Sequence, residues 1–337
     1  MQSTVAILGA GAWGTALAVH LSTRASARPR VVLWARRREH AAEMVKAREN
    51  ARYLPDVRLP GPIEITADAR LAARADILFA APPIAALASL VGEMRALGAE
   101  AALMWLSKGF VASPDLPGGY GLAHQILSAR WPAAVGVVSG PSFADEVARG
   151  LPTALAVAAT ERSLAREVAG LLRGETLRAY DSDDLAGVEV GGAIKNVLAI
   201  AAGASDGLGF GDNARAALIT RGLAETGRLL DALGGRRESL MGLACLGDLV
   251  LTCTGDLSRN RRVGLALARG ENLASTLARL GHVAEGVTAA KAAHALAAHY
   301  GLDMPITDAV FRVLYENLSP RSAVEALLSR EPKPEQD

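Results

Sequence analysis

A doubly wound parallel α/β sheet followed by an all-α domain is the fold class this sequence predicts. Three observations carry that expectation. Short, continuous apolar runs alternate with alanine-rich helical stretches through the first half of the chain. A glycine-spaced turn follows the first of those runs directly. After about residue 184 the strand-like runs stop and helical patterns alone remain. Continuous apolar runs suit parallel strands because helices cover both faces of such a sheet, and the alternation marks βαβ units. At 337 residues the chain is long for one hydrophobic core, so two domains are expected.

Residues 5–8 (Val-Ala-Ile-Leu) open the sheet, and Gly9-Ala10-Gly11-Ala12-Trp13-Gly14 leads into a helix expected over residues 15–21. The spacing of Gly9, Gly11 and Gly14 permits a tight turn, close backbone approach to a pyrophosphate, and close packing of helix on strand. N–H groups at the helix start then face the phosphates. In this position the motif points to dinucleotide binding and makes the domain Rossmann-like; a glycine turn without a ligand is the plainer alternative. Residues 31–34 form the second strand, and Ala35-Arg36-Arg37-Arg38 stand where a carboxylate would bind the ribose of NAD. Guanidinium groups suit a 2′-phosphate, which favours NADP(H) over NAD(H); a solvated basic helix start is the alternative.

Residues 77–80, 103–106 and 135–139 complete the parallel set, with 155–158 and 176–180 expected at an edge. Gly61-Pro62 and the stretch with Pro114, Pro117, Gly118 and Gly119 mark loops. Two strands end in polar residues at the ligand-binding edge. One runs into Ser107-Lys108-Gly109, the other into Gly140-Pro141-Ser142-Phe143-Ala144-Asp145-Glu146. Ser142 with Asp145 reads as a capping box, and a helix start there is also an anion site.

The second half is expected to form helices over 184–204, 215–233, a short one near 239–251, then 259–269, 289–300, 307–316 and 322–329. The expected domains are 1–184 and 185–330, with 331–337 a disordered tail. Lysine is scarce: of 36 basic residues only Lys46, Lys108, Lys195, Lys291 and Lys333 are lysine. Lys195 lies in an apolar helix whose glycines each cost about 1 kcal/mol relative to alanine. Arginine keeps its proton, whereas a buried lysine can be tuned as an acid or base. Lys195 is therefore the candidate catalytic residue; a lysine snorkelling out of a core helix is the alternative. At about 100° per residue Gly191 and Lys195 share a face, with Gly187 close to it. Either a cofactor-bearing edge or a neighbouring helix can approach there. Residues 206–211 read as a flexible loop near the same site.

Gly247-Asp248 precedes Ser258-Arg259-Asn260-Arg261-Arg262, in which Ser258 reads as an N-cap. Three arginines then oppose the helix dipole, at about 0.3–1 kcal/mol each. A bound anion reverses that penalty, so Arg259 and Asn260 read as a phosphate clamp; RNA binding and a solvated patch are the alternatives. Net charge +1 and a charged fraction of 21% argue against disorder and a general nucleic-acid surface. Cys245 and Cys253 are spaced neither for redox nor for zinc, so two buried thiols and no metal are expected. A strand starting near Val5 leaves no room for a signal peptide, and no apolar run reaches a membrane span, so a cytoplasmic protein is expected.

Taken in order, Gly9–Gly14, Lys108-Gly109, Ser139–Ala144, Gly191–Val197, Gly247–Leu249, Ser258–Arg262 and Val283-Ala284-Glu285-Gly286 span almost the whole chain. Together they resemble the NAD(P)-dependent glycerol-3-phosphate dehydrogenases of the bacterial type. The resemblance implies reduction of dihydroxyacetone phosphate to sn-glycerol 3-phosphate, the first step toward phospholipid backbones. It implies that Lys195 handles the proton, with Lys108, Gly140, Ser142, Asp248, Ser258, Arg259 and Asn260 around the substrate. It also implies cofactor contacts from Ala12, Trp13, Arg36, Arg37, Lys108, Ala144, Arg259, Val283 and Glu285, beside Gly9, Gly11 and Gly14. Ala81-Pro82-Pro83 departs from the Pro-Ser or Pro-Thr of such proteins and removes a hydroxyl on the nicotinamide side. The expected cofactor is NADP(H), with NAD(H) admissible, and the expected partner a phosphorylated small molecule. A homodimer is among the expected assemblies. The rival enzyme is a reductase of another 2- or 3-hydroxy acid, which the arginine-capped helix disfavours. A silent NADP(H)-binding protein leaves Lys108, Lys195 and Asp248 unexplained.

Overall fold

The structure, a computed structural model, describes residues 3–24, 28–280 and 284–331. Among them, one sheet contains β1 (Thr4–Leu8), β2 (Arg30–Trp34), β3 (Glu64–Thr66), β4 (Ile77–Ala80), β5 (Ala102–Trp105), β6 (Val135–Ser139), β7 (Thr153–Ala159) and β8 (Leu177–Ser182). Their order is β8-β7-β6-β5-β4-β1-β2-β3. β1 is central because it is apolar throughout: Val5, Ala6, Ile7 and Leu8 are fully buried, and Ile7 pairs with Leu33 on one side and Phe79 on the other. The chain runs outward from β1 through β2 to β3, then crosses back to β4 on the other side of β1. That reversal is a topological switch point, and the ligand crevice of such sheets opens at the strand ends beside it. The Rossmann-like class expected from the sequence is the observed one.

Two details differ. β7 runs antiparallel to β6, whereas a parallel strand was expected. The connection holds only the five-residue helix Ala144–Ala148, which spans about 7 Å. A five-residue strand such as β6 needs about 16 Å for a parallel return. β3 was not expected, because its Glu-Ile-Thr is three half-buried residues with no apolar run.

α1 (Ala12–Thr23) packs on this sheet, α2 (Arg38–Ala47) follows β2, and α3 (Ile84–Ala96) and α4 (Arg162–Leu172) complete the longer helices of this half. After β8, the described residues form α5 (Leu185–Gly207), α6 (Gly211–Ala232), α7 (Asp248–Thr254), α8 (Arg259–Ala268), α9 (Leu273–Leu280), α10 (Glu285–Tyr300), α11 (Pro305–Tyr315) and α12 (Pro320–Leu328). α9 was not expected. A 3-10 turn (Arg237–Met241) and a π-turn (Leu243–Gly247) precede α7, where one short helix was expected. α5 is long and apolar enough to cross a membrane, but 89% of its apolar window is buried, as in a core helix.

The chain divides into two units, Met1–Ser107 with Ala123–Val188, and Lys108–Leu122 with Glu189–Asp337. The boundary expected at 184 thus falls at 188, and residues 108–122 leave the first unit for the second. The tail expected from 331 lies, beyond that residue, outside the described residues.

The helical unit is built on glycine. A Cβ on Gly203 of α5 would stand 2.0 Å from the Arg261 carbonyl oxygen, and one on Gly264 of α8 would stand 2.0 Å from that of Ile200. α5 and α8 therefore meet backbone to backbone. The loop expected over 206–211 is instead fixed at its start, because Asp206 pairs with Arg215 at 2.9 Å and with Arg261 at 2.7 Å.

Candidate active site

Lys195 sits one turn beyond Gly191 on α5. A Cβ on Gly191 would stand 2.7 Å from the Ala244 carbonyl oxygen and 2.8 Å from Cys245 Cα. The bare face thus admits the π-turn that leads straight into α7, and the neighbouring-helix alternative describes Gly191. The close approach brings Asp248, the first residue of α7, to Lys195. Lys195 Nζ donates to Asp248 Oδ1 at 2.7 Å and to Thr252 Oγ1 at 3.0 Å. Lys108 Nζ donates to the other carboxylate oxygen, Oδ2, at 2.5 Å. Thr252, one turn along α7 from Asp248, anchors its own hydroxyl on the Asp248 carbonyl at 2.6 Å. One carboxylate therefore bridges two ammonium groups, with Lys195 8% and Asp248 1% exposed.

Burial pushes Lys195 down to about 8; the Asp248 carboxylate opposes that shift and the Lys108 charge adds to it. Burial works against the charge on Asp248, but the two ammonium groups outweigh it and hold the carboxyl below the usual range. Glu285, at the start of α10, is raised by burial and restrained by the charge of Arg259. Cys245 and Cys253 are buried free thiols, pushed by burial up to about 12 and so inert as thiolates.

At the start of α8 the three arginines divide. Ser258 Oγ caps the helix through Arg261 N at 3.2 Å, so its hydroxyl serves the fold. Arg261 is held by Asp206 and Asp256, and Arg262 by the Asp256 carbonyl. Arg259 makes no hydrogen bond or ion pair among the described residues and is exposed. Asn260 is buried and turned inward: its Nδ2 donates to Asn196 Oδ1 at 2.8 Å, and its Oδ1 accepts from Gly286 N at 3.0 Å. Asn196 Nδ2, beside Lys195 in sequence, is buried with no partner among the described residues. Asn196 follows Lys195 in the Gly191–Val197 block already singled out, whereas Thr252 was missed in the sequence. The signal for Thr252 was its i+4 spacing from Asp248.

In the first unit the motif glycines play different parts. Gly9 has φ +126°, and a Cβ there would meet the Ala81 carbonyl oxygen at 3.1 Å. Gly14 presses α1 onto the turn, its absent Cβ lying 2.1 Å from the Gly9 oxygen. A Cβ on Gly11 would meet nothing within 4 Å. Protein packing does not explain Gly11, whereas a pyrophosphate approaching the N-terminus of α1 does, so the turn fits a dinucleotide. Ala12 and Trp13 open α1, and Trp13 Nε1 donates to the Ser142 carbonyl at 3.0 Å, tying α1 to the 140–144 loop. Asn50 holds the Ala10 carbonyl at 3.0 Å from behind, a support the sequence did not reveal.

Ser142 corrects the capping-box expectation. The short helix begins at Ala144 with Phe143 as its uncapped N-cap, and the Ser142 hydroxyl closes onto the Gly140 carbonyl at 3.0 Å. Arg36 and Arg37 lie exposed between β2 and α2. Val283 lies outside the described residues.

A Rossmann-like unit with a bare glycine turn, and a helical unit with a buried lysine on a bridging carboxylate, define a dinucleotide-dependent dehydrogenase. Two family models match the chain: NAD-dependent glycerol-3-phosphate dehydrogenase N-terminus over residues 4–165, and its C-terminus over 184–325. A glycerol-3-phosphate dehydrogenase [NAD(P)+] of Aromatoleum aromaticum is 54% identical over 335 residues, covering 98% of this chain and 99% of that protein. That of Nitrosomonas europaea is 50% identical, covering 99% of each. The crystal structure of the Coxiella burnetii enzyme is 41% identical with a TM-score of 0.91, covering 98% of this chain and 99% of that one. The chain belongs to the NAD-dependent glycerol-3-phosphate dehydrogenases, a family of NAD(P)-dependent oxidoreductases that reduce dihydroxyacetone phosphate to glycerol 3-phosphate.

Proposed function

We propose that this chain uses NADPH in preference to NADH, and that Lys195 is the proton donor to the substrate carbonyl. The observation that carries the reading is the bridging of Lys195 and Lys108 by the buried Asp248. The reduced nicotinamide, when bound, supplies hydride to the carbonyl carbon. The Lys195 ammonium hydrogen-bonds the carbonyl oxygen, stabilises the negative charge that develops there and delivers the proton. Its pKa of about 8 keeps it charged at neutral pH yet able to give the proton up. Asp248 and Thr252 hold the amine in place, and Lys108 helps orient the oxygen. The orphan N–H of Asn196 adds a donor beside it.

Arg259 is the arginine of its cluster left for an anion, and the amino end of α8 adds its dipole. Holding the phosphate there turns binding energy into orientation of the carbonyl. Ser258 and Asn260 support that corner through the fold, while Gly140, Ser142 and Ala144 shape the loop tied to Trp13. Glu285 completes the set. Arg36 and Arg37 would hold a 2′-phosphate, and this supports NADPH. The product feeds glycerophospholipid synthesis. The cytoplasmic location and homodimer expected from the sequence stay part of this reading.

Steady-state oxidation of NADPH and NADH with dihydroxyacetone phosphate tests it. Lys195→Ala is expected to lose about 10²–10⁴ in kcat, and wild type to favour NADPH in kcat/KM. Full activity in the variant, or a preference for NADH, removes the corresponding half of the proposal.

A further inference from the structure

Lys108 differs from its partners in being carried by no helix of the second unit. It enters that unit on residues 108–122, which follow β5 and fold into a hairpin pairing Val111–Ala112 with Tyr120–Gly121. The tip is closed by Ser113 N to the Gly119 carbonyl at 2.9 Å and Gly119 N to the Leu116 carbonyl at 2.9 Å. At that tip Gly118 has φ +63°, and a Cβ there would stand 3.0 Å from the Ala295 carbonyl oxygen and 3.4 Å from His299 Cβ, both on α10. Its neighbour Gly119 has φ +77°, yet a Cβ there would meet nothing within 4 Å. Two adjacent glycines thus share one left-handed conformation, but one alone rests on α10.

We propose that residues 108–122 form a strap keyed onto α10 by Gly118, and that this docking positions Lys108 on Asp248. The inference rests on the reading of Lys108, Asp248 and Lys195 as the catalytic group, and makes Gly118 a positioning residue for it. α5 is locked by backbone contact at Gly191 to the π-turn that leads directly into α7, so Lys195 and Asp248 keep each other without the strap. Lys108 depends on the strap for the place of its backbone. Lifting the tip therefore removes one ammonium group and spares the other.

That selectivity gives a signature in pH. Lys195 faces Lys108 from the strap, Asp248 from α7, Glu285 from α10 and the Cys253 thiol from α7. Lys108 pushes the Lys195 pKa down and the two carboxylates push it up. Reduction needs the charged amine, so kcat falls as pH rises through that pKa. Withdrawing Lys108 raises the pKa and moves the falling limb to higher pH.

The test compares Gly118→Val, Gly119→Ala and Lys108→Ala in NADPH oxidation with dihydroxyacetone phosphate across pH. Gly118→Val is expected to lose about tenfold or more in kcat, with its alkaline limb shifted in the direction Lys108→Ala shows. Gly119→Ala carries the same left-handed strain as Gly118→Ala but is unobstructed, so it is expected to stay close to wild type, while Gly118→Ala, made alongside the valine variant, loses activity through the close approach alone. If Gly118→Val matches Gly119→Ala while Lys108→Ala is impaired, the strap is overturned. A loss in Gly118→Val with an unmoved pH limb overturns the positioning role as well. If Lys108→Ala itself is fully active, the reading of the catalytic group fails instead. Gly118→Ala, with the same close approach and less bulk, carries the comparison alone if the valine variant is insoluble.

Discussion

The turn at Gly11 and the face of α5 at Gly191 and Gly203 carry the same residue for opposite purposes. In both, glycine bares backbone. At Gly191 and Gly203 the protein's own backbone fills the space, at 2.7 Å and 2.0 Å from where a Cβ would be. At Gly11 the space stays open to 4 Å. Glycine in a sequence therefore announces a close approach without saying by what. A filled site builds the fold, whereas the open site at Gly11 leaves room for a ligand, and the two should respond differently to one methyl group.

Gly203→Ala is the most damaging way to probe the filled kind. The methyl collides with the Arg261 carbonyl, and α8 must move away from α5. Overpacking of this kind costs about 3 kcal/mol, against about 1 kcal/mol gained from helix propensity. A fall in Tm of roughly 4–8 °C is expected, with substrate and cofactor affinity lost together; thermal unfolding checks it. An unchanged Tm would break the distinction.

Gly191→Ala has a smaller effect on stability and a more specific one on chemistry. Its methyl presses on Ala244 and Cys245, so the π-turn carries Asp248 away from Lys195. Asp248 is the main group holding the Lys195 pKa up against burial. Its retreat lets the pKa fall below about 8, and the alkaline limb of kcat moves to lower pH. That is opposite to the shift expected for the strap variant. A pH profile identical to wild type would show that Gly191 serves packing alone.

Much of this arrangement was legible in the sequence, for physical reasons that differ by element. β1, β2, β4, β5 and β6 are buried on both faces, so each appears as a continuous apolar run. β3 is half-buried and carries no such run, and the reversed direction of β7 is set by a connection whose helix is too short to return. Lys195 and Lys108 stood out because the chain otherwise uses arginine. Asp248 followed Gly247 in a recognisable block. Residues 108–122 could not be assigned to the second unit, because the tip docks through a glycine backbone, which leaves no apolar pattern. The division of the arginine cluster was equally hidden. Arg261 is claimed by Asp206, 55 residues away in the chain, and only the fold shows that Arg259 is the one left over.

The mildest and most diagnostic substitution is Gly11→Ala. Gly11 is the N-cap of α1, with an extended backbone at φ −80° and ψ −175° that alanine also adopts. Apart from its chain neighbours, no described residue comes within 4 Å of the new methyl. Exchanging glycine for alanine at an N-cap changes stability by less than about 1 kcal/mol, so Tm should stay close to wild type. The methyl does stand where a pyrophosphate would approach the helix N-terminus. A clash worth about 1–3 kcal/mol would weaken NADPH binding by roughly tenfold or more, with kcat at saturating cofactor nearly preserved. Fluorescence titration of NADPH together with thermal unfolding separates the outcomes. Weakened binding at constant Tm marks an open glycine reserved for a ligand. Unchanged binding would mean that the space beside Gly11 is merely empty, and that the dinucleotide's phosphates lie elsewhere on the turn.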